Sequence, residues 1–150
     1  MTSHTKKHMA VWDWLYTCKY IAELHFAQGE YNSEGELVLN NQVVYTPDSI
    51  GSDVWVKRCV RDTGIKEYSF TLSQYVPMIT HSNNSANVKT LEIMEKISEW
   101  TEEQNRLKNF PIFPSDCRVI EIKSFPASIA GRDEHGCKIQ SVIKIIYEQK

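Results

Sequence analysis

Few side chains in this 150-residue chain stand in patterns that could do chemistry. Lys57, Arg58, Arg61 and Lys66 form the main basic cluster, and Lys and Arg are the residue types that contact phosphate. Asp62 and Glu67 are interspersed with them, so the local field is mixed. His81 lies near Asn83 and Asn84, but no acid or nucleophile is close in sequence to complete a catalytic pair. Glu99, Glu102 and Glu103 sit on a helical stretch with no histidine at i+3 or i+4, so they read as a solvated face and not as a metal pair. Cys18, Cys59, Cys117 and Cys137 form no CxxC pair, and no histidine falls at zinc-finger spacing. They read as free thiols, some of them buried. GxGxxG, phosphate-loop, HExxH and GxSxG motifs are all absent. The residues therefore point to no catalytic role, no cofactor and no metal.

The charge balance agrees. Lys plus Arg number 17 against 19 Asp plus Glu, a formal net charge of -2, which gives no long-range attraction to nucleic acid. Hydrophobic residues at 41% and charged residues at 24% suit an ordinary globular domain, and the length suits one core. The first nine residues are polar, and no apolar run approaches the roughly 20 residues of a membrane span. The expectation is a protein made and folded in a cytoplasm, with no membrane partner.

The strongest element signal is Asn87 to Asn105. Val88, Leu91, Met94, Ile97 and Trp100 recur on one side, with Glu92, Glu95, Lys96 and Glu99 mostly elsewhere. Asn87 is the expected N-cap, and Pro111 bounds the helix downstream. A first helix is expected over residues 10–25, with Val11, Trp14, Leu15, Cys18 and Ala22 as its stripe. Trp12, Tyr16 and Tyr20 fall off that stripe, which leaves two readings: a broad buried face, or a contact face toward a neighbouring subunit. Residues 1–8 read as a flexible N-terminal tail.

The rest reads mainly as strands. Residues 29–35 are turn-rich, and residues 36–45 offer a short extended segment. Asp53 to Arg61 alternates, with Val54, Val56, Arg58 and Val60 on one side and Trp55, Lys57, Cys59 and Arg61 on the other. Across Asp62-Thr63-Gly64, Lys66 to Ser73 alternates again, so the pair reads as an antiparallel hairpin. Residues 74–86 read as a loop. Cys117 to Phe125 reads as a strand, with Ile120 and Ile122 on one face and Val119 on the other. Pro126 ends it, and a polar loop over residues 127–136 follows. In the last strand, Cys137 to Glu148, Ile139, Ser141, Ile143, Ile145 and Tyr147 form the core side. Val142 and Ile146 on the other side predict partial cover there, by a helix or another subunit. The expected fold is a single α+β domain over residues 1–150: a mostly antiparallel sheet with two main helices packed on it.

Three stretches carry a family resemblance: VWVKRCVRDTGIKEYSFTL at residues 54–72, ISEWTEEQN at 97–105 and IQSVIKIIYEQ at 139–149, with Pro111 and Pro114 in the connection between the last two. Together they resemble the small tail-terminator or tail-completion proteins, often labelled minor capsid proteins, of tailed bacteriophages and prophages in Gram-positive bacteria. The turn here reads RDTG in place of a plain Asp-Gly, and Cys137 and Lys138 stand where that family often has a tyrosine.

The resemblance implies a tail-terminator-like fold and a non-enzymatic, structural role. Such proteins form a ring, typically a hexamer, on the head-proximal end of the tail tube, where they stop tube polymerisation and offer a head-tail joining surface. The implied partners are other copies of the chain, the tail-tube protein and a head-tail connector protein. DNA passes through the lumen without being read. The implied location is the virion, at the head-proximal end of the tail, after synthesis in the host cytoplasm. On that reading Trp12, Tyr16, Tyr20, Val142 and Ile146 are candidate subunit-interface residues. Lys57, Arg58, Arg61 and Lys66 are the candidate basic cluster facing lumen or phosphate. The alternatives are a head-tail connector or head-completion protein on the portal side, and a small ligand-binding domain with a site assembled across loops.

Overall fold

In the computed structural model, residues 2–21, 23–26, 42–48, 53–77, 84–133 and 136–150 are described. The elements are helix α1 (Ser3–Leu15), strands β1 (Glu23–Phe26), β2 (Gln42–Pro47) and β3 (Val54–Arg58), a 3-10 turn (Val60–Asp62), β4 (Gly64–Pro77), helix α2 (Asn84–Leu107), β5 (Cys117–Ser124), β6 (Ser128–Asp133) and β7 (Gly136–Gln149). The fold is α+β, with a mostly antiparallel sheet and two helices.

Two 14-residue strands, β4 and β7, form the centre of the sheet. They pair antiparallel along their whole length, from Gly64 opposite Gln149 to Pro77 opposite Gly136. Each carries two shorter partners on its outer side. Residues 64–67 of β4 pair with β3 and residues 70–73 with β2, while β7 pairs with β6 at one end and β5 at the other. β1 adds a parallel strand beyond β2.

The period-2 pattern of β7 sets the faces. Ile139, Ser141, Ile143, Ile145 and Tyr147 are buried, as expected, together with Tyr68, Phe70 and Leu72 of β4 and Val43 and Tyr45 of β2. Both helices lie on this face. α1 adds Val11, Trp14 and Leu15, and α2 adds Met94 and Ile97. The rings of Trp14 and Trp100 meet with centroids 4.7 Å apart, joining the helices to each other.

Several boundaries differ from the sequence reading, each for a local reason. α1 begins at Ser3, because Thr2 caps it by accepting the Thr5 N–H at 3.1 Å. Residues 3–8 are therefore helix and not tail. α1 ends at Leu15, where the Thr17 hydroxyl and amide both bond the Trp14 carbonyl, and residues 23–25, expected as helix, join the sheet in β1. β4 runs to Pro77 because β7 supplies a partner for each of its residues, so residues 74–77 are strand and not loop. α2 starts at Asn84, which places Asn87 inside the helix. Residues 128–133 pair with β7 instead of forming a loop.

Two bulges break the expected alternation. One lies between Trp55 and Lys57, so Arg58 shares a face with Trp55 and not with Val54. The other lies between Val119 and Glu121, so Ile120 is exposed while Ile122 is buried. The expected extended segment at residues 36–41, the turn at 29–35, and His81 and Asn83 lie outside the described residues.

The end of α2 is a Schellman motif. Lys108 sits at φ 57, its N–H reaches the Asn105 carbonyl at 3.1 Å, and the Asn109 N–H reaches the Gln104 carbonyl at 2.9 Å. The hairpin turn depends on Gly64 at φ +142, where a Cβ would stand 2.1 Å from the Lys57 carbonyl oxygen. Gly64→Ala should therefore destabilise the fold by about 2 kcal/mol or more. Ile145→Ala on the buried side should cost about 2–5 kcal/mol, and Ile146→Ala on the half-buried side about 1 kcal/mol. Urea unfolding of the three variants checks this order.

Candidate functional site

The sequence-predicted residues fall into three places. Trp12, Tyr16 and Tyr20 lie at and just beyond the C-terminal end of α1. Tyr16 is 61% exposed, whereas Trp12 and Tyr20 are half-buried against the core. Trp12 meets the rings of both Tyr16 and Tyr45 edge-on, and Tyr20 lies under the ammonium groups of Lys19 and Lys96. Tyr16 is thus the one of the three that offers most of its ring to a neighbour.

Val142 and Ile146 lie on the opposite side, on the sheet face that carries neither described helix. They are half-buried among Ile65, Glu67, Thr71 and Lys144, and Lys144 Nζ pairs with Glu67 at 3.6 Å. The aromatic patch and the strand patch are therefore two separate surfaces.

The basic cluster does not form a single face. Lys66 and Arg58 both lie over the Trp55 ring, 4.4 Å and 5.3 Å from its centroid. Lys57 pairs with Ile65 on the other face of the hairpin, and Arg61 sits in the turn at φ 59. The bulge that follows Trp55 causes this division.

The structure also gathers a polar group that periodicity did not reveal. His4, Lys7 and His8 of α1 face Tyr45, Tyr68, Tyr147 and Asp53. His4, Lys7 and Asp53 are buried. Lys7 Nζ donates to the Tyr147 hydroxyl at 2.8 Å, and that hydroxyl donates to Asp53 Oδ2 at 2.5 Å. Lys7 Nζ and His4 Nδ1 each stand 3.6 Å from an Asp53 oxygen. His8 Nδ1 meets the Tyr68 hydroxyl and, at 3.3 Å, the Tyr45 hydroxyl, and the two tyrosines bond each other. His4, Lys7 or His8, and Val11 continue the helical stripe backwards. Counting apolar residues alone missed it because the buried residues there are polar.

Burial pushes the Tyr45, Tyr68 and Tyr147 hydroxyls well above the ordinary tyrosine range, so they remain phenols that donate. Burial pulls His8 below 6.5, and the adjacent His4 adds to that shift against the opposing pull of Asp53. The chemistry of this group is cohesive: its contacts tie α1 to β2, β4, β7 and the Asp53 side chain just before β3. Among the described residues no cluster of His, Cys, Asp and Glu is placed to hold a metal ion, and no described helix is long and apolar enough to cross a membrane. Cys18, Cys59 and Cys117 are free thiols, and burial raises Cys117 to about 11.

The motif residues at the end of α2 act in the same cohesive way. Thr101 is fully buried and returns its hydroxyl to the Ile97 carbonyl at 2.9 Å. Gln104 Oε1 accepts from the Asn109 side chain at 2.5 Å, and the Asn109 carbonyl accepts from the Trp14 indole at 2.9 Å. Asn105 Oδ1 accepts the Ile122 N–H at 2.8 Å, beside the bulge in β5. The WTEEQN stretch thus ties α2 to both α1 and an outer strand. No protein-family model matches the chain, and no curated protein matches it.

Two outcomes follow from the polar cluster. Asp53→Ala leaves Lys7 buried without its counter-charge and should cost about 3–5 kcal/mol, whereas Lys7→Met with Asp53→Leu removes both charges and should recover most of that loss. Urea unfolding measures both. Because folding favours neutral His8, its contribution is complete above about pH 6.5 and is lost as pH falls toward the lowered value. Between about pH 7 and about pH 5 the unfolding midpoint should drop less in His8→Gln than in the wild type.

Proposed function

We propose that this protein is a non-enzymatic structural component of a phage or phage-like tail. In this reading it caps the head-proximal end of the tail tube as a ring, a hexamer, ends tube polymerisation and forms the head-tail joining surface. Its partners are its own copies, the tail-tube protein and a head-tail connector protein, and DNA passes through the lumen.

The observation that carries the reading is where the resembling stretches fall. Residues 54–72 form the β3–β4 hairpin, 97–105 form the end of α2 that grips α1 and β5, and 139–149 form the central strand β7. The similarity therefore lies in the residues that hold the fold together, as a shared architecture requires. Ring closure needs two unlike surfaces that meet head to tail. The exposed Tyr16 patch and the half-buried Val142 and Ile146 patch on opposite faces are unlike surfaces of this kind, open to another copy, the tube or the connector.

The test is the native mass of the purified protein at several concentrations, by light scattering after size exclusion, with and without the tail-tube protein. A discrete hexamer, alone or on the tube, is the expected result. A monomer that ignores the tube protein at high concentration overturns the proposal. Tyr16→Ser should weaken self-association while leaving the circular dichroism spectrum unchanged.

A further inference from the structure

The two lateral sides of the sheet are chemically unlike. Beyond β4 lies the β3 hairpin, which exposes Val54, Val56 and Val60 at 64%, 57% and 78%. Lys57 and Arg61 are exposed on the same hairpin, and neither makes an ion pair among the described residues.

Beyond β7, on the other side, lies a groove of about 270 Å³ between α2 and the β5–β6 connection. Glu95, Glu99 and Glu102 line it from α2, and Phe125 and Pro126 line it from the connection. These glutamates are exposed, and they too make no ion pair among the described residues. Phe125 is 42% exposed, and Ile120 and Ile129 are exposed on the adjoining strands. Ser124 also lines the groove.

We infer that the β3 hairpin of one copy of this chain docks in the acidic groove between α2 and the β5–β6 connection of the next copy. The occupant is a second copy because the chain itself carries both halves: a basic, valine-rich edge and an acidic groove with an apolar wall. The two halves stand on opposite lateral sides of one sheet, so each contact leaves the complementary side free for another copy. That is the heterologous geometry that closes a ring. Lys57 and Arg61 then meet Glu95, Glu99 and Glu102, while Val56 and Val60 cover Phe125 and Pro126. Opposite charge across such a contact fixes register and excludes the wrong orientation. The inference rests on the ring reading, and it assigns Lys57 and Arg61 to the subunit contact and not to the lumen.

The test is charge reversal on each side, read by light scattering in the presence of the tail-tube protein and at two salt concentrations. Lys57→Glu with Arg61→Glu reverses the hairpin. Glu95→Lys, Glu99→Lys and Glu102→Lys reverse the groove. Each variant alone should self-associate at least about tenfold more weakly than wild type, and added salt should weaken the wild-type contact. An equal mixture of the two variants should recover assembly, because each reversed hairpin then meets a reversed groove on the other variant and the native pair is kept in the alternate contact. Circular dichroism checks that both remain folded. If either variant assembles as the wild type does, or the mixture fails to recover, this contact is wrong while the ring reading stands. If the wild type itself stays monomeric with the tube protein, both fall.

Discussion

The structure depends on one long backbone ladder, the pairing of β4 with β7. Each strand has 14 residues, and the register is unbroken from end to end. A one-residue slip would turn every buried side chain of one strand toward the outer face. Phe70 opposite Ile143 and Tyr68 opposite Ile145 make such a slip costly, because all four are buried on the helix side. Four of the other described strands pair directly with these two: β2 and β3 share one side of β4, and β5 and β6 share one side of β7, while β1 joins through β2. Two half-length strands on each side explain why the sheet is wide while its centre remains a single hairpin-like pair.

The helices are held to that ladder by different means. α2 uses apolar burial through Met94 and Ile97 and then fixes its end with the Gln104 and Asn105 amides. α1 buries Val11, Trp14 and Leu15, but its first turns rest on charged and polar partners. Apolar burial is non-directional, so it does not by itself choose a register for a short helix. The Lys7–Tyr147–Asp53 contacts do choose one, because a shift of α1 would leave buried charges unpaired. Five separated parts of the chain meet in the whole polar cluster: α1, β2, the residue just before β3, β4 and the end of β7. The cluster thereby couples the start of the chain to its last strand.

The outward character of the molecule follows from the same frame. Both helices occupy one face of the sheet, which leaves Val142 and Ile146 half-buried on the other. The bulges in β3 and β5 turn Val56 and Ile120 away from the core on opposite edges. Bulges of this kind also interrupt an edge strand as a template for indiscriminate pairing. A domain built this way presents several unlike, partly apolar surfaces.

The sequence by itself determined the elements whose signal is local. The β7 alternation, the α2 stripe and the Gly64 turn were legible because strand pleat, helical period and positive φ leave their mark on neighbouring residues. The burial of Ile139, Ser141, Ile143, Ile145 and Tyr147 follows directly from period 2. Tertiary structure alone decided the rest. β4 gained residues 74–77 and residues 128–133 became strand because β7 offers partners there, and pairing partners are not encoded within the segment they stabilise. Arg58 came to share a face with Trp55, and Ile122 with Val119, because one extra residue in a bulge resets the alternation after it. His4, Lys7 and Asp53 were invisible as a group because polar residues read as solvated until a fold supplies their partners. Their burial is set by contacts between residues as far apart as Lys7 and Tyr147, which no local pattern can specify.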